Sequence, residues 1–278
     1  MSSAVLRRRV EGLGARARRG LLALHEAVVY VGGVVRLYGA VLQRAALAVR
    51  GGAHRIRLEA LVRQAVRVGV RAIPIIFLVQ IFIGIILALN LAPTLDTYGQ
   101  LERVADVVAI AVFRELGALI SAVLLSGFAG ASIAAELGAM VEGEEIKALR
   151  AHALDPIRFL VVPRVVATTF MMIGLTVLAD VVGVAGGFLT GVFVLHVDPY
   201  TYIDQTRLAL SLHDYYTGLI KAGVFGALIA GLACYEGLNV VGGAEGVGRA
   251  TTTTVVKSIV CLVGADCIFT IFFYVVGW

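Results

Sequence analysis

An arginine and a glutamate stand side by side at Arg114 and Glu115, inside an apolar run from about residue 107 to residue 135. An arginine at the centre of a membrane helix costs roughly 2.5–3.5 kcal/mol on insertion scales. Charges kept at that depth commonly form internal ion pairs, line a substrate path or relay ions or protons. We therefore interpret this dipeptide as a polar feature in the core of an integral membrane protein.

Three more charged residues, Asp180, Lys221 and Asp266, fall within apolar stretches. Together with Arg114 and Glu115 they give two positive and three negative charges, which can largely neutralise one another. Ion pairs that hold helices in register are at least as well supported as a polar substrate path or a proton or ion relay. The spacing of the five residues does not separate these alternatives.

The composition predicts one membrane domain. Of the 278 residues, 59% are hydrophobic and 15% are charged, whereas a soluble domain is nearer half apolar and a quarter charged. Before Pro74 there are 14 of the 24 Lys and Arg residues and three acids. This asymmetry predicts a cytoplasmic, lipid-contacting N-terminal extension over residues 1–52, followed by a membrane domain over residues 53–278. We expect no nucleic-acid partner, because there is no soluble domain to bind one.

Hydropathy predicts five spans, with the N-terminus in the cytoplasm: about residues 73–91, 107–135, 159–197, 216–235 and 255–276. The third run would be roughly 58 Å long as one helix, which exceeds the hydrocarbon core. Two crossings there would place the acidic loop 198–214 inside and the basic residues Arg249 and Lys257 outside, against the positive-inside rule. We therefore predict one long crossing, kinked or broken near Gly183–Gly187.

Two segments before the first span are predicted to be helices that lie on the membrane surface. Residues 21–49 contain no uncharged run long enough to cross it, and Gly51-Gly52 then breaks the chain. Residues 55–71 carry Arg63, Arg67 and Arg71 at helical spacing opposite an apolar face. A basic face opposite an apolar one is typical of an interfacial helix.

Residues 142–156 predict a short amphipathic helix between the second and third spans, with acidic residues first and basic residues later. It could be an ordinary capped surface helix or a docking helix for a cytoplasmic partner.

A glycine-rich segment at 243–250 has Arg249 and Ala250 where a phosphate-binding loop needs Lys and Ser or Thr, so we expect no ATP site. The scattered cysteines and histidines predict neither a metal site nor a catalytic site.

Several ordered motifs then resemble one family. They are Arg114–Gly117, Ala134–Met140, Glu145–Leu149, Asp155–Arg164, Ile220–Gly226, Gly246–Thr252 and Asp266. From about Ala53 to the C-terminus, the chain resembles the MlaE/YrbE permeases, the membrane subunits of ABC systems that work with MCE proteins.

The resemblance implies an all-α permease of the bacterial inner membrane that moves phospholipids or related lipids between inner and outer membrane. It implies a homodimer, an MlaF-like ATPase that uses ATP, an MlaD-like MCE-domain protein and a STAS-domain protein as partners. This chain itself would bind no cofactor and would not be an enzyme. An ion-coupled secondary transporter is the alternative, although the chain has no detectable internal repeat.

The resemblance also assigns residues to two sites. The polar substrate path would comprise Arg114, Glu115, Lys221 and Asp266. The helix that docks into the ATPase would present Glu142, Glu144, Glu145, Ile146, Leu149 and Arg150. Aliphatic residues of the first span, Ile81, Ile85 and Leu89, are candidates for the wall of the lipid path.

Overall fold

The computed structural model describes residue 25, residues 27–47 and residues 58–277, and these contain helices and no strand. We number the helices α1 (27–47), α2 (Leu58–Val68), α3 (Ile73–Thr97), α4 (Leu101–Glu142), α5 (Glu145–Ala151), α6 (Ile157–Phe193), α7 (Pro199–Ala209), α8 (Leu212–Leu238) and α9 (Gly243–Val276). The prediction of an all-α membrane protein is confirmed.

Five helices of the described chain, α3, α4, α6, α8 and α9, are long and apolar enough to cross a membrane. This confirms the predicted number of spans and makes the chain a multi-pass membrane protein. Four of the five helices extend beyond their predicted ranges, and α4 reaches 42 residues, whereas α6 ends at Phe193, short of the predicted end at residue 197. The reason is that backbone hydrogen bonding continues past the apolar stretch from which a span is recognised.

The third span is one crossing, as predicted, and of the two expected interruptions at Gly183–Gly187 the break is wrong, while the kink stays a prediction. Helix α6 stays helical from Val162 to Phe193. Its glycines instead face α3, since a Cβ built on Gly84 or Gly186 would collide with the carbonyl oxygen of Gly183 or Ile81, respectively. Small residues allow membrane helices to approach closely, so these glycines set a contact rather than a hinge.

The contact between α3 and α6 makes a testable prediction. Replacing Gly84 with alanine should push the two helices apart and destabilise the protein by about 1–3 kcal/mol, the usual cost of overpacking. Thermal unfolding of the purified protein in detergent would measure the change. The matched control is Gly174→Ala on α6, where a new Cβ meets nothing within 4 Å. Equal unfolding temperatures for both variants would contradict the assigned contact.

The two ends of the bundle differ. The α5 end carries α1, α2 and α5, and the α7 end carries α7. Helix α1 packs on α8, where the Tyr38 hydroxyl donates to the Ala227 carbonyl at 2.7 Å, and its Arg44 forms an ion pair with Asp155 before α6. Both contacts hold the helix against the bundle, and its predicted placement on the membrane surface stays a prediction. The proposed boundary at residue 52, the Gly51-Gly52 break and the start of the second amphipathic segment lie outside the described residues.

Helix α8 is the most enclosed of the five spans. Its core-facing side carries Ala222, Phe225, Ile229 and Ala233, which are fully buried and belong to the largest apolar cluster. It packs against α4, α6 and α9. A polar residue on this helix therefore lies within the protein, where it must find partners on the neighbouring helices.

Candidate functional site

The Arg114-Glu115 pair lies in a π-helical turn, Val112–Leu116, within α4. Such wide turns occur mostly as single interruptions of α-helices and are frequent at functional sites. Consecutive residues of a helical turn point in different directions, so the two charges diverge towards different partners. This turn of α4 therefore presents one cation, Arg114, and one anion, Glu115, at adjacent positions.

Glu115 binds Lys221 of α8, whose side chain is only 1% exposed. The Lys221 Nζ lies 2.6 Å from Glu115 Oε2 and 2.9 Å from Asp266 Oδ1 on α9. The hydroxyl of Thr270, one turn after Asp266, lies 3.0 Å from the same Nζ and 2.9 Å from Glu115 Oε1. One buried ammonium group therefore joins three spans through two carboxylates and a hydroxyl.

Arg114 forms its ion pair elsewhere, with Asp214 at the start of α8; the Nε–Oδ1 distance is 3.4 Å. Asp214 also forms a reciprocal capping box with Ser211, each side chain bonding the other residue's backbone N–H. Asp214 was expected in a loop, and its role as a capping residue was not predicted. The Ser-x-x-Asp spacing of Ser211 and Asp214 was the available signal for a helix start; nothing in it indicated Arg114 as the partner.

Arg114, Glu115 and Lys221 border a cavity of about 190 Å³ between α4, α8 and α9. Its lining comprises Arg114, Glu115, Lys221, Thr217 and Thr270 together with Ile110, Ala111, Phe273 and Tyr274. The predicted wall residues Ile81, Ile85 and Leu89 do not line it, because α3 packs chiefly on α6. The apolar wall comes from α4 and α9 instead.

Exposure differs among the four predicted path residues. The side chains of Arg114 and Glu115 are 37% and 34% exposed, whereas Lys221 and Asp266 lie behind them. Lys221 follows the first residue of α8 by nine positions, which places it about 14 Å along the helix from the α7 end. Arg114, Glu115 and Lys221 line the recess, whereas Asp266 contacts Lys221 without lining it. The charged and apolar lining suits a molecule with a charged group joined to an apolar part.

Asp180 of α6 is not part of this cluster. Its side chain is buried against Gly117 of α4, and its Oδ1 has no hydrogen-bond partner among the described residues. The apolar residues around Asp180 in the sequence indicate that it is buried. They do not indicate which neighbouring helix it faces. The charged cluster around Lys221 therefore contains Glu115 and Asp266, whereas Asp214 pairs separately with Arg114 and Asp180 lies at another interface.

The short helix predicted between the second and third spans is present as α5, but it is shorter than expected, because Glu142 ends α4 and Glu144 lies in the turn before α5. Glu142, Glu144, Glu145 and Arg150 are exposed, whereas Ile146 is buried and Leu149 is half-buried. The backbone of Glu144 adopts a left-handed conformation with φ of 60°, which turns the chain between α4 and α5. A hydrogen bond from Lys147 lowers the pKa of the Glu144 carboxyl. Ile146 therefore anchors α5, and the charged residues form its outer surface.

Comparison with known proteins agrees with this architecture. The family profile described as "Permease MlaE" matches residues 61–272. A "Probable ABC transporter permease protein" of Rickettsia felis is 36% identical over 217 residues, covering 78% of this chain and 84% of that protein.

Two further relatives come from more distant sources. The "Intermembrane phospholipid transport system permease protein MlaE" of Haemophilus influenzae is 33% identical over 218 residues, covering 78% of this chain and 84% of that protein. "Protein TRIGALACTOSYLDIACYLGLYCEROL 1, chloroplastic" of Arabidopsis thaliana is 32% identical over 212 residues, covering 76% and 61%, respectively. The profile match covers well over half of the chain, and it includes α3 to α8 and most of α9. The chain therefore belongs to the MlaE permease family and is a transport subunit of the membrane rather than an enzyme.

Proposed function

We propose that this protein is the permease subunit of an ABC transporter that moves phospholipids or related lipids between two membranes together with an MCE protein. The observation that carries the proposal is the charged cluster around Lys221, which opens into a recess with apolar walls. A phospholipid has a charged headgroup and apolar chains. Partly exposed Arg114 and Glu115 can contact the headgroup, while Ile110, Phe273 and Tyr274 contact the chains.

The distribution of charge supports an orientation in which the α5 end faces the cytoplasm of a bacterial inner membrane. Basic residues at that end are Arg44, Arg63, Arg67, Arg71, Lys147, Arg150, Arg158, Arg164, Arg249 and Lys257. The α7 end carries Arg103 and Arg207 among the acids Asp96, Glu102, Asp106, Asp198, Asp204 and Asp214. Loops rich in Lys and Arg remain on the cytoplasmic side.

In this orientation, each proposed partner has its own binding surface on the permease. An MlaF-like ATPase, with or without a STAS-domain protein, binds the exposed surface of α5, and an MlaD-like MCE protein binds at the α7 end. A second copy of the permease covers α9, which leaves Val256, Val260, Val263 and Ile271 exposed. The partner ATPase binds and hydrolyses ATP, and this chain supplies the membrane path.

The first test is purification of the tagged chain from its native membrane in mild detergent, with mass spectrometry of proteins and lipids. We expect an ATPase, an MCE-domain protein and phospholipid to copurify, and the untagged chain processed in parallel to retain none of them. The purified assembly should move phospholipid between vesicles only when ATP is supplied. Transport by the chain alone, driven by an ion gradient, would instead support a secondary transporter.

A further inference from the structure

A second cavity, of about 290 Å³, lies at the α5 end between α2, α4 and α6. Its polar lining is Arg63, Gln64, Arg67, Glu136 and Arg164, and its apolar lining is Ala60, Phe159, Leu160 and Pro163. None of these residues borders the cavity around Lys221. The site is thus separate from the proposed transport path.

The fixed charges of this cavity favour an anion. Glu136 is held by two arginines, with Arg67 Nη1 2.6 Å from its Oε2 and Arg164 Nη2 3.0 Å from its Oε1. The third arginine, Arg63, forms an exposed ion pair with Glu59 of its own helix, at 3.3 Å. Exposed pairs of this kind are weak. Three guanidinium groups therefore meet at a cavity whose lining contains one carboxylate.

Two buried donors in the lining have no acceptor among the described residues. Gln64 is 8% exposed and its Nε2 is unpartnered, and Arg164 is 7% exposed and its Nε is unpartnered. A buried N–H group without a partner typically costs 1–3 kcal/mol, and more when it is charged. Both groups can only donate, so a ligand that satisfies them must supply acceptor oxygens.

We propose that this cavity binds a phosphate oxyanion, presented either by a phospholipid headgroup at the membrane surface or by free phosphate. Arginine recognises phosphate with directed, charge-assisted hydrogen bonds, and Gln64 supplies a further donor. Phe159 and Leu160 border the same cavity and can contact the glycerol and first acyl carbons of a lipid. A bound phosphate would also tie the amphipathic helix α2 to the ends of α4 and α6.

The test compares ligand binding to the complete chain and to a variant with Arg63→Gln and Gln64→Leu. This variant removes one charge and one donor but keeps the ion pairs of Glu136, so it is expected to fold. Native mass spectrometry with added phosphatidylglycerol measures lipid retention, and unfolding temperature in sodium phosphate against sodium chloride of equal ionic strength measures free phosphate. We expect the variant to bind about tenfold more weakly. The matched control is Arg249→Gln, which removes an exposed basic residue at the α5 end outside the cavity.

The two probes distinguish the sources of phosphate. Loss of phosphatidylglycerol retention alone assigns the site to a lipid headgroup, and loss of phosphate stabilisation assigns it to the free ion. Equal binding of both probes to the variant, the control and the native chain would overturn the proposal, as would a native chain that binds neither probe. Because the readout is binding, failure of this test leaves the transport proposal intact, and failure of transport leaves this site intact.

Discussion

Replacing Lys221 with methionine is expected to lower the free energy of unfolding by about 3–5 kcal/mol, the typical cost of removing one partner from a buried ion pair. The physical reason is that Glu115 and Asp266 would then face each other with no cation between them. Thermal unfolding and the yield of monodisperse protein in detergent would report the loss. The matched control is Lys257→Met, which should cost much less, because Lys257 is 39% exposed and its partner Glu236 keeps a hydrogen bond from Tyr30 at 2.7 Å.

A second variant separates a structural role from contact with substrate. Neutralising the whole cluster with Glu115→Gln, Lys221→Met and Asp266→Asn removes the unpaired charges, so stability should return towards that of the native chain. ATP-driven lipid transport should be lost, because of the charged groups predicted to line the path only Arg114 then remains to contact the headgroup. A simple exchange of Lys221 and Asp266 is a poorer test, since an aspartate at 221 would face Glu115. Full transport by the triple variant would show that the cluster only holds helices together.

Reversing the charge of Glu145 to arginine is expected to abolish retention of the ATPase while leaving the permease folded. Glu145 is exposed at the start of α5, whereas the neighbouring Ile146 packs inward and fixes the helix. A reversed charge at a docking surface places like charges together, and we expect at least about tenfold weaker association. Copurification of the ATPase and ATP-driven transport would both fall, and the unfolding temperature of the isolated permease would not change.

The control for this variant is Glu102→Arg, the same substitution at an exposed position at the α7 end. It should leave association with the ATPase intact. If the Glu145→Arg protein retains as much ATPase as the Glu102→Arg protein, α5 is not the docking helix.

The amino-acid sequence by itself determined the membrane architecture. Five apolar runs and the placement of Lys and Arg were sufficient for the number of spans and for the single crossing by α6. Helical spacing in residues 55–71 indicated a helix there, and α2 carries Arg63 and Arg67, while Arg71 lies in the following turn. These inferences succeed because hydropathy, helical period and charge are local properties of a segment, and the bilayer acts on each segment directly.

Only the tertiary structure decided which buried charges belong together. Lys221 meets Glu115 across 106 positions and Asp266 across 45, Arg114 turns to Asp214, and Asp180 lies at another interface. The glycines near residue 183, expected to interrupt α6, instead allow α3 to pack closely against it. The arginines of the α5-end cavity come from two helices, and the unpartnered donors there, on Gln64 and Arg164, arise only through burial. Such pairings depend on how the helices rotate and cross when they pack, and no single segment encodes that geometry.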